Sequence, residues 1–175
     1  IDLIRNLSIL EYTGGKMHVP TISTAKSVVL IKEAKKKGLN VTCSVSVHHL
    51  TLNETVLEGF DSRYKVAPPL QTEANRKALI KGITDGTIDM ITSDHNPIDI
   101  EHKKLEFDLA KNGTIGLETA FGMLQTVLPT ETIIEKLVFG KTVFGIKKNI
   151  ISVGNKASLT LFNPNEKSVF GKENI

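Results

Sequence analysis

The segment GTIDMITSDHNP carries an apolar, β-branched run straight into Asp94 and His95. In a parallel α/β barrel the C-terminal ends of the strands line the site, so a carboxylate there is placed to carry a proton or to hold a metal ion. The same run of Ser, Asp, Asn and Pro is also ordinary turn chemistry, in which an aspartate oxygen caps nearby amides. From position alone the two readings weigh equally. Other reactive groups read as structural. Cys43, the only cysteine, lies in NVTCSVSV, where a small buried strand residue is expected rather than a nucleophile or a disulfide partner. His102 sits in EHKKLEFD, a charged stretch with the composition of a solvated helix or loop face.

What would hold Asp94 in place is an alternation of helices and strands. Leu3, Ile4, Leu7 and Leu10 have helical spacing, closed by Gly14 and Gly15. Residues 16–22 read as a short strand. Ser23 and Thr24 can cap a second helix, with apolar positions at Val28, Val29, Ile31 and Ala34 and an end at Gly38. The valines and hydroxyl residues of 40–47 have strand composition, and 48–65 is a longer, mixed connection. Residues 73–83 repeat the helical pattern, and Gly86 leads into the β-branched run 87–92. This order predicts an α/β chain with a parallel sheet and crossover helices. Two further helical patterns follow at 117–128 and 131–139, then an alternating segment at 157–162 that reads as separate β structure. The sharpest composition break lies at 150–154.

Three strands are too few for a closed barrel, which takes about eight, so the sheet edges should be open. Apolar barrel-facing residues such as Ile22, Val45 and Ile91 should then be exposed. The rest of a longer polypeptide, a second copy or another chain is expected to cover them, and a homo-oligomer is the simplest case.

Composition narrows the class. With 175 residues, 40% hydrophobic and 23% charged, the chain has enough apolar content for a core and is neither disordered nor membrane-spanning. No apolar run approaches the roughly 20 residues of a spanning helix, and the first residues lack a signal peptide's basic start, so a cytoplasmic protein is expected. The net charge of +3 comes from lysines spread over stretches such as LIKEAKKKG, without interleaved aromatics. That is the pattern of a solvated helix face and not of a nucleic-acid-binding surface.

Four blocks, taken together, resemble the dihydroorotases of the amidohydrolase superfamily. They are HVPTISTAKSVVLIKEAKKKGLNVTCSVSVHHLTL, YKVAPPLQTEANRKALIKGITDGTIDMITSDHNP, GTIGLETAFGML and VGNKASLTLFNPN, in the family's order and covering nearly the whole chain. The resemblance implies the C-terminal portion of a TIM-type (β/α)8 barrel, about three strand–helix units over 1–150, with part of a small β domain over 151–175. It also implies an activity, the reversible hydrolysis of the cyclic amide dihydroorotate to carbamoyl aspartate in pyrimidine biosynthesis. In such enzymes one or two zinc ions polarise the amide and activate a water while a carboxylate moves the proton, and Asp94 matches that carboxylate, which also contacts the metal. The family's other ligands, apart from one on the sixth strand, belong to strands that would precede Ile1.

The chain departs from the family at the site. Thr21 in MHVPTIST stands where a metal-binding histidine is usual. His18 reads as structural, because side chains alternate along a strand and residues three apart point to opposite faces. At the substrate-reading positions Ala67 replaces an asparagine, Gln71 an arginine and Ile98 a histidine. Each change removes a polar contact of a kind worth roughly 2–5 kcal/mol when buried. His48 and His49 match a family histidine pair outside the ligand set, and Gly116, Leu117 and Glu118 match the block after the last barrel strand, where glycine permits close backbone approach. Two expectations follow. Either the chain is part of a zinc-dependent hydrolase and is inactive and metal-free by itself, or it is a non-catalytic scaffold or regulatory subunit partnering aspartate transcarbamoylase. A third reading, an amidohydrolase for another substrate, redistributes the polar groups.

Overall fold

The structure, a computed structural model, describes residues 2–147, 151–167 and 169–171. Helix α1 (Asp2–Thr13) buries Leu10 and ends where Gly14, at φ +67°, returns its amide to the Leu10 carbonyl. Strand β1 (Met17–Val19) is shorter than the pattern predicts, since Pro20 has no amide with which to continue a ladder. Helix α2 (Ala25–Lys36) starts on Thr24, whose hydroxyl accepts the Ser27 amide, and closes at Gly38, left-handed at φ +81°.

Strand β2 (Val41–Ser46) runs directly into helix α3 (Val47–Thr51), which Ser46 caps by accepting the His49 amide. The connection expected over 48–65 therefore begins with a helical turn and continues through 3-10 turns at Glu54–Leu57 and Ser62–Tyr64. Helix α4 (Glu73–Thr84) leads through an Asp85–Thr87 turn to strand β3 (Met90–Thr92). Beyond β3 come α5 (Ile100–Lys103), α6 (Ala120–Leu124), α7 (Thr130–Val138) and α8 (Gly140–Val143).

The sheet is parallel, in the order β1-β2-β3, with His18 beside Thr42 and Val45 beside Ile91. Lys35 of α2 and Asp89 tie helix and sheet together. The ammonium lies 2.7 Å from both Asp89 oxygens, and the carboxylate also accepts the Cys43 amide at 2.8 Å. Ile31, Cys43, Val45, Leu79, Ile83 and Ile88 form the buried layer between sheet and helices, and Leu50, Leu124 and Ile133 extend it. Burial of side chains of this size stabilises by about 1.5–3 kcal/mol each.

Two expectations are corrected here. Ile22, Val45 and Ile91 are buried, not exposed, because they pack on the helix side of the sheet, and the opposite side carries His18, Thr42 and Ser44. Residues 157–162 carry no strand. Alternation prepares a strand, but only hydrogen bonding to a neighbouring strand makes one, and none adjoins this segment among the described residues. The composition break at 150–154 and the boundary between 150 and 151 fall partly outside the described residues. No helix among the described residues is long and apolar enough to cross a membrane.

Candidate active site

Strand β3 delivers Asp94 two residues past its end, partly exposed and at φ +51°, a left-handed conformation uncommon outside glycine, though aspartate adopts it more readily than most. The residues around it are held to a second segment. Asn96 donates its amide to the Thr114 carbonyl at 2.8 Å, and His95 Nδ1 accepts the amides of Gly116 and Leu117 at 3.3 and 3.2 Å. A nitrogen that accepts two amides carries no proton, so the neutral His95 ring has its hydrogen on Nε2. The Glu118 carboxylate lies 4.0 Å from the same Nδ1.

The other histidines near the strand ends are committed to the fold. His49 is buried, with Nε2 donating to the Pro68 carbonyl at 3.0 Å and Nδ1 2.7 Å from the Ser46 hydroxyl, so it joins α3 to the 66–70 loop. Burial lowers the proton affinity of His49, against the Pro68 carbonyl and the Asp94 charge, which raise it. His48 is 3% exposed and its Nε2 has no hydrogen-bond partner. Burial lowers the proton affinity of His48 as well, opposed by the charge of the neighbouring Asp94.

On β1, His18 Nδ1 lies 2.9 Å from the Thr42 hydroxyl and Nε2 3.3 Å from that of Ser44, with the ring edge-on to Phe144. Both nitrogens are occupied. Thr21 lies beyond the end of β1 at φ +46°, so strand alternation does not govern its direction, and its amide donates to the Ser44 hydroxyl. Cys43 is inert, its thiol pushed up to about 12 by burial and by the charge of Asp89.

The three substituted positions lie on two loops. Ala67 is exposed and joined to Pro68 by a cis peptide. Gln71 turns its amide back on its own loop, donating to the Pro69 carbonyl at 3.2 Å. Ile98 packs against Gly113: a side chain there would come within 2.7 Å of Ile98 and 2.6 Å of the Asn96 carbonyl, and Gly113 holds φ +142°. Around Ala67, Pro69, Leu70 and Phe107 runs a cavity of about 260 Å³ whose walls are largely apolar.

As a metal site the chain is incomplete. No three His, Cys, Asp or Glu side chains among the described residues are grouped to hold an ion. A stable zinc site takes three or four protein ligands, and Asp94 is the one donor at the β3 end that the family reading assigns. Sequence reasoning missed the His48–Gly116–His95 arrangement around Asp94. Only the glycine of GTIGLE hinted at it, because the contact joins segments far apart in the chain.

No family model matches the chain. Curated relatives do: a dihydroorotase from Carboxydothermus hydrogenoformans is 42% identical over 172 residues, and one from Ruminiclostridium cellulolyticum is 39% identical over 173. These alignments cover 94% and 95% of this chain and 40% of each relative, so the chain spans about two fifths of the length of the relatives it matches. Among solved structures, a D-hydantoinase (dihydropyrimidinase) from Thermus sp. superposes with a TM-score of 0.79 at 26% identity, over 89% of this chain and 37% of that one. The L-hydantoinase of Arthrobacter aurescens gives 0.76 at 27% identity, over 82% and 34%. A Saccharomyces cerevisiae dihydroorotase solved with 5-fluoroorotic acid gives 0.74 at 17% identity, over 83% and 43%, a likeness of fold.

Proposed function

The chain belongs to the dihydroorotase family of the amidohydrolase superfamily, as a C-terminal part of such a protein, and from that premise we propose that it contributes the proton-carrying carboxylate, Asp94, to a cyclic amide hydrolase of the dihydroorotase type. The observation that carries this reading is the position of Asp94 at the end of a parallel strand, in a left-handed turn stitched to the 114–117 segment. As an ionised carboxylate it can take a proton from an attacking water and return it to the leaving amide nitrogen.

In this reading the sheet is the last part of a TIM-type barrel. The remaining zinc ligands come from outside the chain. Among the described residues β1 and β3 each have one neighbour, so each leaves an edge for the rest of the polypeptide or for a second copy to cover.

A second reading is favoured by Thr21, Ala67, Gln71 and Ile98. A chain with these residues keeps the fold and loses polar contacts to metal and substrate, as befits a scaffold or regulatory subunit, for which aspartate transcarbamoylase is the partner to test.

The deciding experiment joins this chain to the N-terminal remainder of the Carboxydothermus hydrogenoformans relative and assays ring opening of dihydroorotate. Turnover that disappears with Asp94→Asn supports the hydrolase. A folded, zinc-loaded chimera without turnover, together with co-purification of aspartate transcarbamoylase, supports the scaffold.

A further inference from the structure

Asp94 keeps a left-handed backbone conformation, which costs an L-residue free energy even though aspartate tolerates it better than most. On its C-terminal side the constraint is visible as hydrogen bonds, from Asn96 to Thr114 and from Gly116 and Leu117 to His95. On its N-terminal side the governing unit is the Ser93–Asp94 peptide, whose rotation changes the φ of Asp94 directly. The Ser93 carbonyl of that peptide faces the α-carbon of Gly116: a β-carbon built there would lie 3.1 Å from the oxygen. The same point is 2.7 Å from Cε1 and 3.0 Å from Nε2 of His48.

Gly116 is thus enclosed by the His48 ring and the peptide that sets Asp94. Its own φ is not in the left-handed region, so lack of space rather than backbone freedom demands glycine here. His48 is fixed in α3, the helix that β2 feeds directly, and its buried Nε2 makes no hydrogen bond. No Nε2 hydrogen bond accounts for the ring's place; a hydrogen bond with the Asp94 backbone and the contact with Gly116 tie it to the turn.

We infer that Gly116 and His48 are positioning residues for Asp94: the bare α-carbon of Gly116 lets the His48 ring and the Ser93 carbonyl close on one another, and this packing holds the turn that presents the carboxylate. The inference rests on the reading of Asp94 as the proton-carrying group, but the geometry it claims can be measured without any activity.

The test is NMR on the isotopically labelled 175-residue chain. The one-bond Cα–Hα coupling and the three-bond amide–Hα coupling of Asp94 report the sign of its φ. Gly116→Ala should move both couplings toward values for negative φ while amide shifts in α2 and α4 stay in place. Adding His48→Ala to that variant vacates the space the new methyl needs and should return the couplings most of the way to the parent values. Unchanged Asp94 couplings in folded Gly116→Ala, or a double variant no closer to the parent than the single one, would overturn the proposal. Should Gly116→Ala not fold, His48→Ala alone decides. Averaged couplings and a lowered heteronuclear NOE at Asp94 are expected, and parent-like values there would overturn it. A failed activity assay leaves all these couplings untouched, so the two readings fail separately.

Discussion

The main-chain amide of Thr21 donates to the hydroxyl of Ser44 at 3.2 Å, and the same oxygen lies 3.3 Å from Nε2 of His18. Ser44 is 1% exposed, so one buried hydroxyl serves the residue at the family's histidine position and the histidine three residues before it. Ser44→Ala removes that oxygen and leaves the amide of Thr21 and Nε2 of His18, both in half-buried residues, facing a methyl. A loss of about 1–3 kcal/mol is expected in urea unfolding. A change below about 0.5 kcal/mol would mean that other groups satisfy Thr21 and His18.

The same arrangement bears on zinc. Asp94 is the single ligand that the family reading finds in this chain, and both nitrogens of His18 are engaged by hydroxyls. We expect purified, tag-free protein to hold far less than one zinc per chain, and Thr21→His to change this little, because two donors fall short of the three or four of a stable site. Elemental analysis after gel filtration measures both. About one tightly held zinc per parent chain would refute the expectation.

Acid should expose a different dependence. Asp85, in the turn that launches β3, is pushed upward by burial, but hydrogen bonds from Lys32 at 2.6 Å and from the Thr87 hydroxyl and amide outweigh this and bring it down to about 2. A folded-state value below the ordinary 3.8 means that the stabilisation is fully present above about pH 4. It is lost as pH falls toward 2. Asp85→Asn should therefore cost on the order of 1–2 kcal/mol at pH 7, allowing for partial exposure, and almost nothing near pH 2. Denaturant melts of both proteins between pH 2 and 7 test this. A difference that does not shrink in acid would place the effect outside the Asp85 charge.

The elements that could be read from sequence are those whose signals are local. Thr24 and Gly38 bracket α2, apolar spacing marks α4, and the β-branched run into Asp94 announces β3 and the carboxylate at its end. Helix α3 was hidden because its valine and paired histidines do not favour a helix, and what starts it is the Ser46 cap and the packing of Leu50. Sidedness was misread at Val45 and Ile91: VTCSVS alternates cleanly, but alternation does not say which side faces the helices, and here the apolar side does. The significance of Thr21, Ala67, Gln71 and Ile98 comes from resemblance alone, since nothing in a threonine, alanine or isoleucine marks a place where a polar group would act. The contact between His48 and Gly116 depends on tertiary packing, which no local pattern encodes.

A ring bearing a carboxylate needs donors aimed at it, and the positions where the family supplies them are here an exposed methyl, an amide engaged with its own loop and an apolar chain packed on Gly113. Losing a buried charged or bidentate contact costs roughly 2–5 kcal/mol, so three losses amount to several orders of magnitude in the rate at low substrate. The unmodified chain should therefore show no ring opening of dihydroorotate, with or without added zinc, and Thr21→His should not restore any. In the chimera with a relative's N-terminal part, Ala67→Asn, Gln71→Arg and Ile98→His together should raise kcat/KM by at least about 100-fold. Ile98→His alone should do less, because the imidazole must first displace the packing against Gly113. Steady-state assays of the single and triple variants measure this. Turnover by the unmodified 175-residue chain, or a triple variant no faster than its chimeric parent, would show that these positions do not govern substrate binding here.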